Sequence, residues 1–174
     1  DCDEIVVGNA ADSSCTIPFQ AESLYSTSEY LYCASEIGKG GIVDTLWFNV
    51  AATGNFAVER IRIYMGHTSS HNLSGGWENL SDLQEVYFSN NQTIATSLGW
   101  EEYPLHTPFE YDGTSSLLLV VVHTSDYTTS MPKYYNHSTV YSSSVWRASD
   151  NYSDSCASLA PTPCGVISNV RPDI

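Results

Sequence analysis

The side chains in this sequence best suited to engaging a ligand are aromatic. Trp47 lies between Thr45 and Asn49 on the polar side of an alternating stretch, and Tyr64 shares its side with Arg60 and Arg62. Trp77, Tyr127, Tyr134, Tyr135, Trp146 and Tyr152 fall in polar or irregular segments. Sugar rings stack their apolar C–H faces on Trp and Tyr, while their hydroxyls pair with Asn, Asp, Glu and Arg. Trp47, Tyr64, Arg62, Trp77, Tyr134, Tyr135 and Trp146 are therefore the candidate carbohydrate-binding residues. Large aromatics more often fill a core or seal the ends of a sandwich, and Trp100 and Phe109 read as core or turn packing.

Catalytic constellations are not evident. No Gly-x-Ser-x-Gly elbow occurs. Cys33 has no histidine near it in sequence and reads as a buried structural thiol. Glu101 and Glu102, adjacent on a strand, point to opposite faces and cannot flank one glycosidic bond together. His67 and His71 are four apart, but they lie in a Gly-, Ser- and Asn-rich loop where helical spacing means nothing. His106, His123 and His137 are scattered. No catalytic residue, histidine metal site or cofactor is expected, and the chain reads as a non-enzyme. A structural calcium is the one ion that the loop acids Asp126, Asp150 and Asp154 suit, without an EF-hand pattern behind them.

Composition sets the frame for these residues. The chain has 174 residues, 42% of them hydrophobic, which suits a single domain over 1–174 with its own core. Charged residues are 15%, against roughly 25% in an average globular protein. Six basic residues against 20 acidic ones give a net charge of −14. Such a charge repels polyanions, which argues against nucleic acid and anionic membrane surfaces as partners. The longest apolar run, residues 117–122, is far short of the roughly 20 residues of a membrane helix, so no membrane insertion is expected.

Five cysteines, Cys2, Cys15, Cys33, Cys156 and Cys164, lie toward the chain ends without a CxxC unit. Placement suggests local bridges Cys2–Cys15 and Cys156–Cys164, each contributing about 3 kcal/mol in the chain-entropy model. With the composition, they point to an oxidising compartment, and so to a secreted or cell-surface protein. No signal peptide is visible, as expected if the chain starts after its removal or is an excised domain. Asn-x-Ser/Thr sequons occur at Asn72, Asn79, Asn91, Asn136 and Asn151.

The elements that would position the aromatics are strands. Leu46, Phe48 and Val50 alternate with Thr45, Trp47 and Asn49; Ile61, Ile63 and Met65 alternate with Arg60, Arg62 and Tyr64. Val86 and Phe88 mark a strand ending at an Asn90-Asn91 turn. Another covers residues 100–105, with Pro104 indicating an edge or a bulge. The Leu-Leu-Leu-Val-Val-Val run at 117–122 predicts a central strand covered on both faces. Weaker strands are expected at residues 5–7, 17–19, 30–34, 134–135, 140–146 and 166–170. About ten strands in two stacked antiparallel sheets make an all-β jelly-roll sandwich.

Ile63-Tyr64-Met65-Gly66-His67-Thr68, Trp77, Leu83, Val86-Tyr87, Gly99-Trp100, Thr107-Pro108-Phe109 and Tyr111-Asp112-Gly113 bring in a further signal. With Pro18-Phe19, residues 35–38 and the closing Arg171-Pro172-Asp173-Ile174, they span most of the chain. Together these motifs resemble a β-sandwich accessory domain of Bacteroidetes-type secreted and surface multidomain proteins. In layout the chain is similar to cleaved-adhesin and galactose-binding-like modules. Glu101-Glu102 and the terminal cysteines depart from that pattern. The resemblance implies an accessory role in glycan binding, adhesion or spacing. The leading expectation is thus an extracellular carbohydrate-binding or adhesion module with a glycan or neighbouring surface protein as partner. The competing one is a structural subunit that self-associates through strand edges or sandwich ends.

Overall fold

The computed structural model describes residues 3–78, 80–126, 130–150 and 165–174. The elements in chain order are β1 (Asp12–Ser14), β2 (Tyr25–Tyr32), α1 (Ala34–Ile37), β3 (Gly41–Ala52) and β4 (Phe56–Thr68). Then follow β5 (Gln84–Ile94), β6 (Gly99–Tyr111), β7 (Ser116–Ser125), β8 (Lys133–Ser138), β9 (Ser144–Ser149), β10 (Val166–Ser168) and β11 (Val170–Pro172). The strands form two antiparallel sheets. One has the order β1-β8-β3-β6, with β11 also on β8; the other runs β10-β9-β2-β7-β4-β5.

Period-two alternation explains the packing. Leu46, Phe48 and Val50 of β3 are buried, as are Ile61, Ile63 and Met65 of β4, and they face each other across the sandwich with Phe19, Phe56, Tyr103 and Val121. Each side chain of that kind contributes about 1.5–3 kcal/mol by leaving water. The 117–122 run lies in β7, between β2 and β4, and is buried on both faces as its composition requires. Its outer face carries Leu118, which clusters with Leu31, Leu73 and Val145; Trp77, Leu83 and Tyr141 pack around them. The β4–β5 connection thus lies over this sheet like a roof, tied by the Leu73 N–H to the Ser142 carbonyl at 2.7 Å.

Several expected strands differ. Residues 5–7 form no strand: Val7 exchanges only a pair of backbone hydrogen bonds with Ile174, and a Cβ on Gly8 (φ +135°) would collide with the Asp173 carboxyl. Residues 17–19 are a bend, since Pro18 has no N–H for a ladder, yet Ile17 and Phe19 still enter the core. β5 runs through Asn90-Asn91 rather than ending there; Asn91 takes positive φ within the strand. A register shift opposite Ile63 and Tyr64 lets both Val86 and Tyr87 be buried, which strict alternation forbids. Val140 is not in β9 but fully exposed before it. The single strand expected at 166–170 divides, β10 pairing with β9 in one sheet and β11 with β8 in the other. Pro104 lies on an edge strand and beside a bulge, so both readings of it hold.

One lateral side of the sandwich is closed. There β5 faces β6: Gln84 donates to the Pro108 carbonyl (3.0 Å), the Phe88 N–H donates to His106 Nδ1 (3.3 Å), and the Tyr87 and His106 rings stack at 5.2 Å. On the other side, β1 and β8 stand apart from β9 and β10, while β11 bridges to β9 through the Ser144 hydroxyl on the Val170 carbonyl.

Candidate functional site

That parted side holds a cleft of about 350 Å3. One wall is Asp12, Ser13 and Ser14 of β1 with Asn136 and Ser138 of β8; the other is Trp146 of β9 and Ser168 of β10. Alternation puts Val145 on the outer face and Trp146 on the inner one, where its indole packs partly on the core and partly borders the cleft. Ser14 and Thr16 share a hydroxyl hydrogen bond of 2.5 Å, and the Asp12 carboxylate accepts the Ser13 N–H at 2.7 Å. The cleft thus offers one aromatic wall and a ring of hydroxyl, carboxamide and carboxylate groups, with a volume in the small-ligand range.

Of the other sequence candidates, the structure brings none into this cleft. Trp47 is half-buried on the outer face of β3, opposite Glu102, while Trp100 stands opposite Asn49 on the same face. Trp100 is 43% exposed, so of its reading as core or turn packing the core alternative is corrected: β6 alternation turns Glu101 and Tyr103 inward instead. Glu101 and Glu102 do point to opposite faces. Glu101 accepts the Tyr103 and Tyr134 hydroxyls at 2.9 and 3.0 Å and the Ala95 N–H at 2.7 Å. Phe109 is buried as expected.

Tyr134 is itself fully buried against Phe19 and Phe48 and presents no surface to a ligand; its neighbour Tyr135 faces outward opposite Ser13. Arg62 is engaged by Glu85 (2.6 Å) and lies 4.9 Å over the Phe88 ring, with Tyr64 beside it on the outer face of β4. Trp77 is part of the roof. Tyr127 and Tyr152 lie outside the described residues.

The residues of the cysteine and calcium expectations lie partly outside the described residues. Cys15 and Cys33 carry free thiols; Cys2, Cys156 and Cys164 lie outside the described residues, among which no disulfide is present. Cys33 is half-buried rather than buried. It caps α1, with its N–H donating to Glu36 Oε2 at 2.7 Å and its Sγ 3.4 Å from the Tyr141 hydroxyl. Asp126 is exposed, Asp150 accepts the Leu24 N–H at 3.2 Å, and Asp154 lies outside the described residues.

A buried charged network escaped sequence reasoning. Arg171 is fully buried with its guanidinium 4.3 Å over the Tyr32 ring. It donates to His137 Nε2 (3.0 Å), the Tyr141 hydroxyl (3.1 Å), Glu36 and the Leu31 carbonyl. Since His137 Nε2 accepts, its proton sits on Nδ1 and is donated to Asp173 Oδ1 at 2.6 Å. Burial works to raise the pKa of Glu36, but the hydrogen bond and charge of Arg171 outweigh it and hold the carboxyl below its usual range. The Asp173–His137 pair has the form of an oriented base, yet its second nitrogen is taken by a guanidinium and has no place for a substrate proton. The network's role is to pin β11 to β8 and α1.

No family model matches the chain, and no curated protein matches it. Solved structures similar to the chain include two of one surface protein. One comprises the cysteine protease and lectin-like domains of Cwp84, a surface layer associated protein of Clostridium difficile, at 10% identity and a TM-score of 0.43 over 86% of this chain and 32% of that one. The other is the clostridial cysteine protease Cwp84 after propeptide cleavage, at 12% identity and a TM-score of 0.43 over 87% and 36%. This chain spans about a third of the length of either. Likeness of this degree carries no argument about ligand or activity, and the Bacteroidetes resemblance has no counterpart in these comparisons.

Proposed function

We propose that this chain is a non-catalytic, extracellular carbohydrate-binding module, one domain in extent, that seats a sugar in the cleft against Trp146. The cleft supports this reading. It joins a single indole wall to polar groups from three strands and offers no activated nucleophile or base. The sugar's apolar face would lie on Trp146, and its hydroxyls would meet Asp12, Asn136 and the serines.

A glycan array followed by affinity electrophoresis tests the assignment. Trp146→Ala is expected to weaken binding by about tenfold or more, equivalent to about 1.4 kcal/mol, with Arg62→Ala leaving it unchanged. Full affinity in Trp146→Ala, together with loss in Trp47→Ala or Trp100→Ala, would move the site to the open face of the five-stranded sheet.

A second reading, self-association, has one observation in its favour. β10 ends its sheet with Val166 and Ile167 half-exposed, and Val140 stands exposed in the segment before β9. Light scattering over a concentration series decides it: assembly that is abolished by Ile167→Lys, in a chain that binds no glycan, would replace the carbohydrate reading.

A further inference from the structure

The shape of the Trp146 cleft limits how a sugar chain can enter it. At one end of the cleft, two chain segments cross from sheet to sheet. The β8–β9 connection leaves Ser138 of the five-stranded sheet and reaches Ser144 of the six-stranded one; Asn169, between β10 and β11, makes the reverse passage. The two crossings are tied together. The Asn169 carboxamide donates to the Thr139 carbonyl at 3.0 Å, and the Ser143 N–H donates to the Ser168 carbonyl at 2.9 Å. A third segment crosses behind the cleft. After β1 the chain passes through Thr16 and Ile17, both of which line the cleft, and the Pro18 carbonyl then accepts the Ser28 hydroxyl at 3.4 Å. Ser28 is the β2 residue opposite Trp146, so this crossing forms the back of the cleft.

With one end and the back closed, the cleft is a blind slot. A polysaccharide lying lengthwise needs a groove open at both ends, because its chain continues in both directions from any internal unit. A blind slot receives only a terminal unit or a one-unit branch. The volume agrees: about 350 Å3 is near the bottom of the roughly 300–1,000 Å3 range of small-molecule sites, room for roughly one or two sugar rings. Charge narrows the class further. Among the described residues that line the cleft, Asp12 is the one ionisable group and none is basic. His137, between Asn136 and Ser138, is engaged by Asp173, and Arg171 by Glu36, so neither is free to meet an acidic ligand. Recognition of a carboxylate or sulfate calls for Arg or Lys; here such a group would meet Asp12, on a chain with a net charge of −14.

We infer that the cleft takes the terminal unit of a non-acidic glycan, end-on, and rejects internal chain segments and acidic sugars. The inference rests on the carbohydrate reading of the cleft and adds to it the part of the glycan that is recognised. Calorimetric titration of the whole chain tests it. The probes are the methyl glycosides of glucose, galactose, mannose, xylose, fucose, N-acetylglucosamine and glucuronic acid, then linear oligomers, up to the hexamer, of the sugar that binds best. Affinity in the wild-type chain is expected to level off by the second unit, with the hexamer within about threefold of the dimer. The glucuronide should bind at least about tenfold more weakly than the best neutral glycoside, and Asp12→Asn should narrow that gap. Affinity that climbs steadily to the hexamer, yet still falls in Trp146→Ala, would overturn the end-on inference and leave the cleft in place. Equal affinity for the glucuronide would overturn the exclusion of acidic sugars. Binding untouched by Trp146→Ala, or no binding of any probe, would remove the cleft reading and this inference together.

Discussion

The two sheets present the same type of residue on their outer faces and use it in opposite ways. On the five-stranded sheet, Trp47 and Trp100 face outward from neighbouring strands with nothing folded over them among the described residues. On the six-stranded sheet, Trp77 is brought in from a connection to cover Leu31, Leu118 and Val145. Strand composition decides which face receives a cover. β7 has Leu and Val on both sides and needs one, whereas β3 and β6 alternate with Thr, Asn and Glu and do not. An outward tryptophan therefore has no fixed meaning until the neighbouring strand faces are known.

The contrast can be broken most forcefully by removing the keystone of the roof. Leu73→Ala is expected to cost about 2–5 kcal/mol in urea unfolding, as for a fully buried leucine, despite its place in a loop. A cost near zero would mean that the roof is not part of the cooperative fold.

A second test uses the two faces of the six-stranded sheet, each of which buries an ionisable group. Burial raises the pKa of Glu29 on the outer face to about 7 from 4.5, against the hydrogen bond that the Glu78 N–H donates to it and with a smaller push from the Glu78 charge. Its contribution is fully present below about pH 4.5 and is lost as pH rises through about 7. Burial lowers the pKa of His123, which packs against Phe19 and Phe56 on the inner face, to about 4 from 6.5. Its contribution is fully present above about pH 6.5 and is lost as pH falls through about 4. Each displacement is worth about 3 kcal/mol, and between about pH 4.5 and pH 6.5 the two slopes oppose each other. Wild-type stability should accordingly be nearly flat across that interval. Glu29→Gln should become steadily less stable on acidification from about pH 6.5. Equal pH profiles for the two proteins would remove Glu29 from the account.

The smallest effect sharpens the comparison directly. Trp77→Ala should cost about 2 kcal/mol through its partly buried indole, while Trp100→Ala should stay within about 0.5 kcal/mol in thermal unfolding.

Much of the framework was legible from alternation. β3, β4 and β7 announced both their strands and their buried sides because each has at least three apolar residues in phase. β8 did not: in Lys133-Tyr134-Tyr135-Asn136 either tyrosine could be the inner one, and only its register with β1 and β3 selects Tyr134. β2 was half hidden because Ser26, Thr27, Ser28 and Glu29 are buried polar residues, which local composition reads as a turn. The cleft was legible only through Trp146, since the opposite wall joins β1 to β8, whose lining residues lie more than 120 positions apart in the chain. The Arg171 network was invisible for the same reason. The basic residue and its acidic partner Glu36 are separated by 135 positions, and no spacing rule connects them.

The division of the last strand bears on how the cleft meets a ligand. Ser168 and Val170 both border the cleft, yet they belong to opposite sheets and are joined through Asn169 alone. That junction is held by Thr139, whose N–H donates to the Asn169 carbonyl at 2.8 Å, and by the Ser144 hydroxyl on the Val170 carbonyl at 2.6 Å. With one residue as spacer, the walls cannot swing apart or close like jaws. A ligand entering there meets a preset gap, so little ordering entropy is lost on binding, and selectivity rests on fit to a fixed width.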